Sequence, residues 1–202
     1  MLNISNLSFG YPLKPILHNF SLQMQRGECL HIIGENGSGK STLLKLISGF
    51  LLPTAGSIQW AIPHPRSETA HLDADSNGLY LQLSAFQNLQ LGKNHTYTQQ
   101  RQALTKWGIR TPYIQNSLAV KKFSTGMRRR LALCRLEQMQ KMVWVLDEPL
   151  NGLDSNGVDL LSHSLNHKIT QLQGCVVVTG HQKMMAEVLP PQTRAIYLHE
   201  KN

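Results

Sequence analysis

One stretch of eight residues, Gly34-Glu35-Asn36-Gly37-Ser38-Gly39-Lys40-Ser41, restricts what this chain can fold into more than any other feature. It satisfies G-x-x-x-x-G-K-[ST], the P-loop pattern. Ahead of it, residues 28–33 read as a buried strand; behind it, residues 41–47 read as an amphipathic helix. A strand that turns through glycines into a helix opens an α/β nucleotide fold. The glycines let the backbone curl until successive N–H groups point at phosphate oxygens, and the helix N-terminus adds a favourable dipole. In such a loop Lys40 reaches the β- and γ-phosphates, Ser41 ligates Mg²⁺ and Thr42 contacts the α-phosphate side. A glycine turn capping an ordinary helix is the plainer alternative, and the position between strand and helix weighs against it.

The remainder of the chain carries the same alternation. Residues 2–7 and 16–24 read as short strands of a β-rich opening. From about residue 61 to 125 the rhythm is lost. Pro63, Pro65 and the segments 73–78 and 92–95 interrupt short helical patterns around 86–89 and 99–107, which predicts an inserted, mostly helical subdomain. The sheet pattern returns at 142–147 and 175–179. β-Branched strands separated by helices imply a parallel sheet covered on both faces.

Asp147 and Glu148 end the first of these two runs, after the apolar residues 143–146. A carboxylate at the C-terminal end of a sheet strand lies where α/β folds place ligand chemistry. Asp147 is the candidate Mg²⁺ ligand. Glu148 is the candidate general base on an attacking water, a role worth typically about 10²–10⁴ in rate. Two solvated acids capping a strand end are the alternative, which the neighbouring P-loop disfavours.

Composition narrows the setting. Hydrophobic residues are 41% and charged residues 16%, the balance of a folded protein. No apolar run approaches the roughly 18 residues that span a bilayer, and residues 1–25 lack a secretory pattern. The expectation is a cytoplasmic protein unless a partner holds it at a membrane. Cys29, Cys134 and Cys175 form no C-x-x-C pair and read as buried reduced thiols. A net charge of +8 suits nucleic acid, anionic lipid or nucleotide phosphates alike, so charge alone decides nothing.

Phe123-Ser124-Thr125-Gly126-Met127 opens a basic helix, 128–135, and resembles the signature loop of the ABC family, usually Leu-Ser-Gly-Gly-Gln. Ser124 and Gly126 match the serine and second glycine; Phe123, Thr125 and Met127 depart. The resemblance runs along nearly the whole chain. The stretch from Glu148 to Asp154 is similar to the run into the family's D-loop, with Leu153 and Asp154 as its cross-dimer element. His181 stands where the family has its switch histidine. Tyr11 stands where an aromatic ring stacks on adenine, a contact worth about 1–3 kcal/mol. At the position of the usual glutamine the chain has Asp75, which could bind Mg²⁺ but cannot donate a hydrogen bond as an amide can; Gln82 is the other candidate.

The resemblance implies a P-loop NTPase of ABC type, α/β, with a mainly parallel sheet, an N-terminal antiparallel β region and an inserted helical subdomain. One domain would fill 1–202, its core at about 1–75 and 126–202 and the subdomain at about 76–125. It implies ATP and Mg²⁺ as cofactors. It also implies a second copy of the cassette, paired on ATP binding, and integral membrane transporter subunits as partners. One such subunit would dock a short helix beside Asp75 and residues 78–125, with Leu79, Leu81, Leu83 and Phe86 as candidate groove residues. Nucleic acid is not expected, because ABC ATPases that act on it or on ribosomes usually have tandem cassettes or a long coiled coil. Thr179-Gly-His-Gln182, Gly56-Ser-Ile-Gln-Trp60 and Asp154-Ser-Asn-Gly-Val158 are similar to one branch, the haem-exporter ATPases of bacterial cytochrome c maturation. That branch implies a peripheral position on the cytoplasmic face of the inner membrane.

Overall fold

The computed structural model describes residues 1–74, 78–91, 95–109 and 118–198. The chain opens with the hairpin β1 (Leu2–Tyr11) and β2 (Lys14–Met24), then β3 (Cys29–Ile33), α1 (Lys40–Ile47) and β4 (Ala55–Trp60). β5 (Thr69–Leu72), α2 (Ala85–Gln90) and α3 (Tyr97–Lys106) follow, then a 3₁₀ turn at Val120–Lys122 and α4 (Thr125–Gln138). Last come β6 (Val143–Leu146), α5 (Ser155–Thr170), β7 (Cys175–Thr179), α6 (Gln182–Ala186) and β8 (Arg194–Tyr197).

Five strands form one sheet in the order β5-β6-β7-β3-β8, and each neighbouring pair is parallel. Its central strands are buried along their length, so alternate side chains enter different cores. Val143, Val145, Val177, Leu30 and Ile32 face a cluster completed by α1 and the antiparallel sheet β2-β1-β4. Trp144, Leu146, Val176, Val178 and Cys29 face the cluster containing Leu131 and Leu133 of α4 and Leu161 and Leu165 of α5. Each such side chain stabilises the fold by about 1.5–3 kcal/mol when fully buried. The three cysteines are free and buried. Burial pushes the Cys29 thiol up to about 12 and raises those of Cys134 and Cys175, as befits inert thiols.

Register sets the functional end of the sheet. Leu72 pairs with Leu146, Leu146 with Val178, Thr179 with Ile32, and Ile33 with Tyr197. The five chains therefore leave the sheet side by side.

Three strands escape the sequence reading. β5 lies inside the stretch from residue 61 to which the sequence pattern assigns no strand; Thr-Ala-His-Leu is too short and too mixed to announce one, and pairing with β6 makes it one. β4 carries Gly56 at φ +80, where a Cβ would lie 2.3 Å from the Asn6 carbonyl oxygen. β8 is short and largely exposed. The expected helices are present with shifted ends. Reciprocal capping boxes start α2 (Ser84 with Gln87) and α3 (Thr96 with Gln99). α4 begins at Thr125 rather than 128 because the Ser124 hydroxyl accepts from the Met127 N–H at 3.2 Å. α2 and α3 pack on each other and on α4. No helix among the described residues is long and apolar enough to cross a membrane.

Lys168 is the unusual core residue. It is 3% exposed, lies 5.2 Å from the centre of the Trp144 ring and donates to the Lys141 carbonyl. Burial pushes its pKa down to about 8. Below that pH both folded and unfolded chains carry the charge, and the burial cost is felt in full. As pH rises toward the unfolded value near 10.4, the unfolded chain holds a proton that the folded one has released, so stability rises. Thermal melts of the protein and of Lys168→Met should therefore shift by a few °C in favour of the lysine protein between pH 8 and 10. A constant difference across that range would contradict this.

Candidate functional site

The P-loop leaves β3 and enters α1. Gly37 and Gly39 adopt φ of +91° and +96°. A Cβ on Gly39 would lie 2.7 Å from Ile16 Cγ2, so the β1–β2 hairpin rests on the loop. Lys40 Nζ donates to the carbonyls of Gly34 at 2.9 Å and Glu35 at 2.8 Å, curling over its own loop. The Ser38 hydroxyl is buried without a protein partner among the described residues. Left-handed glycines, a flanking cation and an unengaged buried hydroxyl fit a phosphate cradle. The Ser41 hydroxyl and Asp147 carboxylate are hard oxygen donors of the kind Mg²⁺ takes.

Tyr11 sits on the same hairpin, 46% exposed, with its ring edge-to-face with Phe9 at 5.2 Å. It is not a core tyrosine.

Asp147 and Glu148 follow β6, beside the end of β7. One hydroxyl joins them: Thr179 Oγ1 donates to Asp147 Oδ1 at 2.5 Å and accepts from the Glu148 N–H at 3.0 Å. Asp147 is buried; Glu148 has φ +44, a left-handed conformation that costs a non-glycine residue roughly 1–2 kcal/mol. Its surroundings hold it there. Asn151 Nδ2 donates to Glu148 Oε2 at 2.9 Å, while the Asn151 N–H and Arg129 Nη2 reach the Glu148 carbonyl at 3.1 and 2.6 Å.

His181 is exposed at the start of α6. The preceding Gly180 carbonyl lies 3.1 Å from Nε2 of buried His31, whose pKa burial holds below the usual imidazole value. Neutral His31 with Nε2 protonated would fix that turn.

Ser124 and Gly126 lie elsewhere. Ser124 caps α4, and a Cβ on Gly126 would lie 2.7 Å from the Gly152 carbonyl, so signature-like loop and D-loop-like turn touch within one chain. Asp154 caps α5 by accepting from the Gly157 N–H at 2.9 Å and pairs with Arg130, contacts that hold its carboxyl below the usual range. Asp75 lies outside the described residues.

The sequence reading assigns no role to Thr179, Asn151, His31 or Arg129: the first two lie inside stretches matched through other residues, and the last two inside a strand and a basic run. The basic run proves internal: Arg128 donates to the carbonyls of Val120 and Lys121, Arg129 to four further carbonyls, and Arg130 to Trp107 O and Asp154.

A cavity of about 350 Å³ opens beside β5, lined by Ser48, Phe50, Arg66, His71, Arg135 and Met139 among others. Of the expected groove residues, Leu79 and Phe86 pack against the core instead, whereas Leu81 is exposed, as is Tyr80. Phe50 stands 67% exposed at the cavity, edge-to-face with His71.

A profile of the ABC transporter family matches residues 17–151. The chain is 33% identical to the "Cytochrome c biogenesis ATP-binding export protein CcmA" of Vibrio vulnificus strain YJ016, over 98% of this chain and 99% of that protein. It is 32% identical to the protein of the same name from Escherichia coli strain K12, over 85% and 84%. Among solved structures, the "ATP binding subunit of ABC transporter" superposes with a TM-score of 0.83 at 24% identity, over 98% of this chain and 85% of that one. The ATP-binding cassette MJ0796, in a dimeric post-hydrolysis state with ADP and Pi, gives 0.81 at 21%, over 100% and 97%.

The Thr179 bridge is testable by stability. Thr179→Val keeps the volume and removes the hydroxyl, leaving the Glu148 N–H and Asp147 oxygen without that partner. Urea melts should show a loss of about 1–3 kcal/mol; a loss below about 0.5 kcal/mol would mean that the bridge contributes no net stabilisation.

Proposed function

The chain belongs to the ABC transporter family, and on that premise we propose that it is the ATP-binding and ATP-hydrolysing subunit of a transporter serving haem export in bacterial cytochrome c maturation. One observation carries the ATPase reading: the parallel register sets the exits of β6, β7 and β3 in a row, so Asp147, Glu148, His181 and the P-loop share one edge. The haem reading rests on full-length likeness to export proteins of cytochrome c biogenesis.

In this reading the backbone from Gly34 to Gly39 and the side chains of Lys40 and Thr42 hold the phosphates, while Tyr11 stacks on the base. Mg²⁺, held by Ser41 and Asp147, would offset charge on the β- and γ-phosphate oxygens. Asp75 is a further candidate ligand in place of the family's glutamine. Glu148, its carboxylate oriented by Asn151, takes the proton of the attacking water, and His181 faces the γ-phosphate. Ser124 and Gly126 complete the site of a second copy of the chain, with Asp154 at the seam. Residues of about 1–75 and 126–202 form the core of this domain, and about 76–125 its helical subdomain. The cassette sits peripherally on the cytoplasmic face of the inner membrane, bound to an integral membrane subunit. The cavity beside β5 receives that subunit's short helix in the manner of helix-in-groove contacts, with the exposed Phe50 among its lining residues.

Glu148→Gln should leave ATP binding near normal and slow hydrolysis about 10²-fold or more. Lys40→Ala should weaken binding itself, by removing a cation that faces phosphate. Titration with nucleotide and phosphate-release rates separate the two effects, and near-normal turnover in Glu148→Gln would remove Glu148 as the base. Light scattering should give a dimer for Glu148→Gln with Mg-ATP and a monomer once Ser124→Arg is added; a persisting dimer would exclude that loop from the composite site.

In a deletion strain, Phe50→Glu should retain ATP binding but lose membrane recruitment and c-type cytochromes. Lost recruitment with normal cytochromes would reject the haem role and keep the transporter.

A further inference from the structure

Arg129 is 2% exposed, yet its guanidinium is aimed at backbone rather than at solvent. Nη1 donates to the Asp73 carbonyl at 2.7 Å. Nη2 donates to those of Asp147 at 2.9 Å and Glu148 at 2.6 Å, and Nε to that of Pro149 at 3.2 Å. One rigid cation thus spans the exits of two neighbouring strands, β5 and β6. The second exit carries a strained turn, with Glu148 at φ +44 ahead of a proline. A residue before proline is already restricted, and a left-handed one persists only when its surroundings over-determine it. Four contacts do so here: the Thr179 hydroxyl on the Glu148 N–H, the Asn151 side chain on its carboxylate, and the Asn151 N–H and Arg129 on its carbonyl, where Arg129 makes the shorter bond.

We propose that Arg129 is a positioning residue for hydrolysis: it locks the Glu148 backbone in the turn that aims the carboxylate, and ties that turn to the exit of β5. The inference rests on the assignment of Glu148 as the base. The planar fork of arginine suits the role, since its donors leave in fixed directions and its charge persists at every working pH. A lysine at the same position would keep the charge and lose the fork. The consequence is directional. Displacing a base by a fraction of an ångström to an ångström harms the chemical step and leaves nucleotide binding, which Lys40 and the P-loop backbone govern, nearly untouched.

The test combines Arg129→Met, Arg129→Lys, Glu148→Gln and the double variant Arg129→Met/Glu148→Gln in the full chain. Steady-state ATP hydrolysis gives kcat, equilibrium binding of a fluorescent ATP analogue gives affinity, and a thermal melt establishes folding. Arg129→Met should lower kcat about 10- to 100-fold with affinity changed less than about threefold. Arg129→Lys should fall between it and the parent protein. In the Glu148→Gln background, adding Arg129→Met should change the residual rate less than about twofold, because the group it positions is gone. If Arg129→Met fails to fold, Arg129→Lys alone carries the test, with a severalfold loss of kcat at unchanged affinity expected. A folded Arg129 variant with normal kcat, an equal loss in both backgrounds, or a loss that appears in affinity instead would overturn the proposal. Near-normal hydrolysis by Glu148→Gln would overturn the base assignment itself, an outcome distinct from a silent Arg129 variant beside an inactive Glu148→Gln.

Discussion

A parallel sheet has one end at which every strand stops, and in this protein the hydrogen-bond register fixes what stands there. Leu146 beside Val178 puts Asp147 opposite Thr179; Thr179 beside Ile32 puts the P-loop one strand further on. A slip of one residue in either pairing would turn the strand faces over and separate the carboxylates from the phosphate loop. The register is held by two cores at once, because alternate residues of β6 and β7 feed different clusters. The site is therefore specified by packing far from it, and its polar groups refine a geometry the valines have already set.

Backbone conformation supplies the second layer. Three of the left-handed residues of the chain, Gly37, Gly39 and Glu148, stand at this edge of the sheet. The glycines adopt that region at little steric cost; Glu148 does not and needs partners. Thr179, Asn151 and Arg129 are those partners: Thr179 holds the Glu148 N–H, Asn151 its carboxylate, and Asn151 and Arg129 together its carbonyl. The strain and its restraint belong together, and they sit at the residue proposed as the base.

This explains what could be read from the sequence and what could not. The P-loop pattern and the pair Asp147 and Glu148 stand out in the sequence because the chemistry proposed for them needs fixed residue types at fixed spacing, and β3, β6 and β7 are legible because both of their faces are buried. β5 is illegible because Thr-Ala-His-Leu owes its conformation to a neighbour in space, β6. Arg129 is illegible for the same reason. In sequence it is the middle of a basic run that could as well be solvated; in the fold it answers four carbonyls, one of them 56 residues away. Even Ser124 reads equally well as a helix cap, and it is one. The cap and any role across a dimer are compatible, since the hydroxyl accepts from Met127 and keeps its proton to donate.

The signature-like loop shows how its departures from the usual pattern are absorbed. Phe123 replaces a leucine and is buried in the larger core, joined there by the partly buried Met127. Both are apolar side chains facing apolar neighbours, where exchange of shape is tolerated. Thr125 stands where the pattern has its first glycine, and it is exposed. Its methyl Cγ2 lies 3.4 Å from where a Cβ on Gly152 would sit, an ordinary contact, so the threonine is accommodated. Gly126 has no such freedom, because any side chain there would strike the Gly152 carbonyl at 2.7 Å. The two positions that keep the family pattern are thus an exposed hydroxyl and a glycine that close packing demands. The three that abandon it lie where packing or solvent permits. A loop under no constraint beyond its own fold would need Gly126, but it would not need an exposed serine when threonine, asparagine or aspartate caps a helix as well. Within the single chain Ser124 is the cap of α4, and its exposed hydroxyl keeps a proton to donate, which the proposed function directs to the site of a second copy.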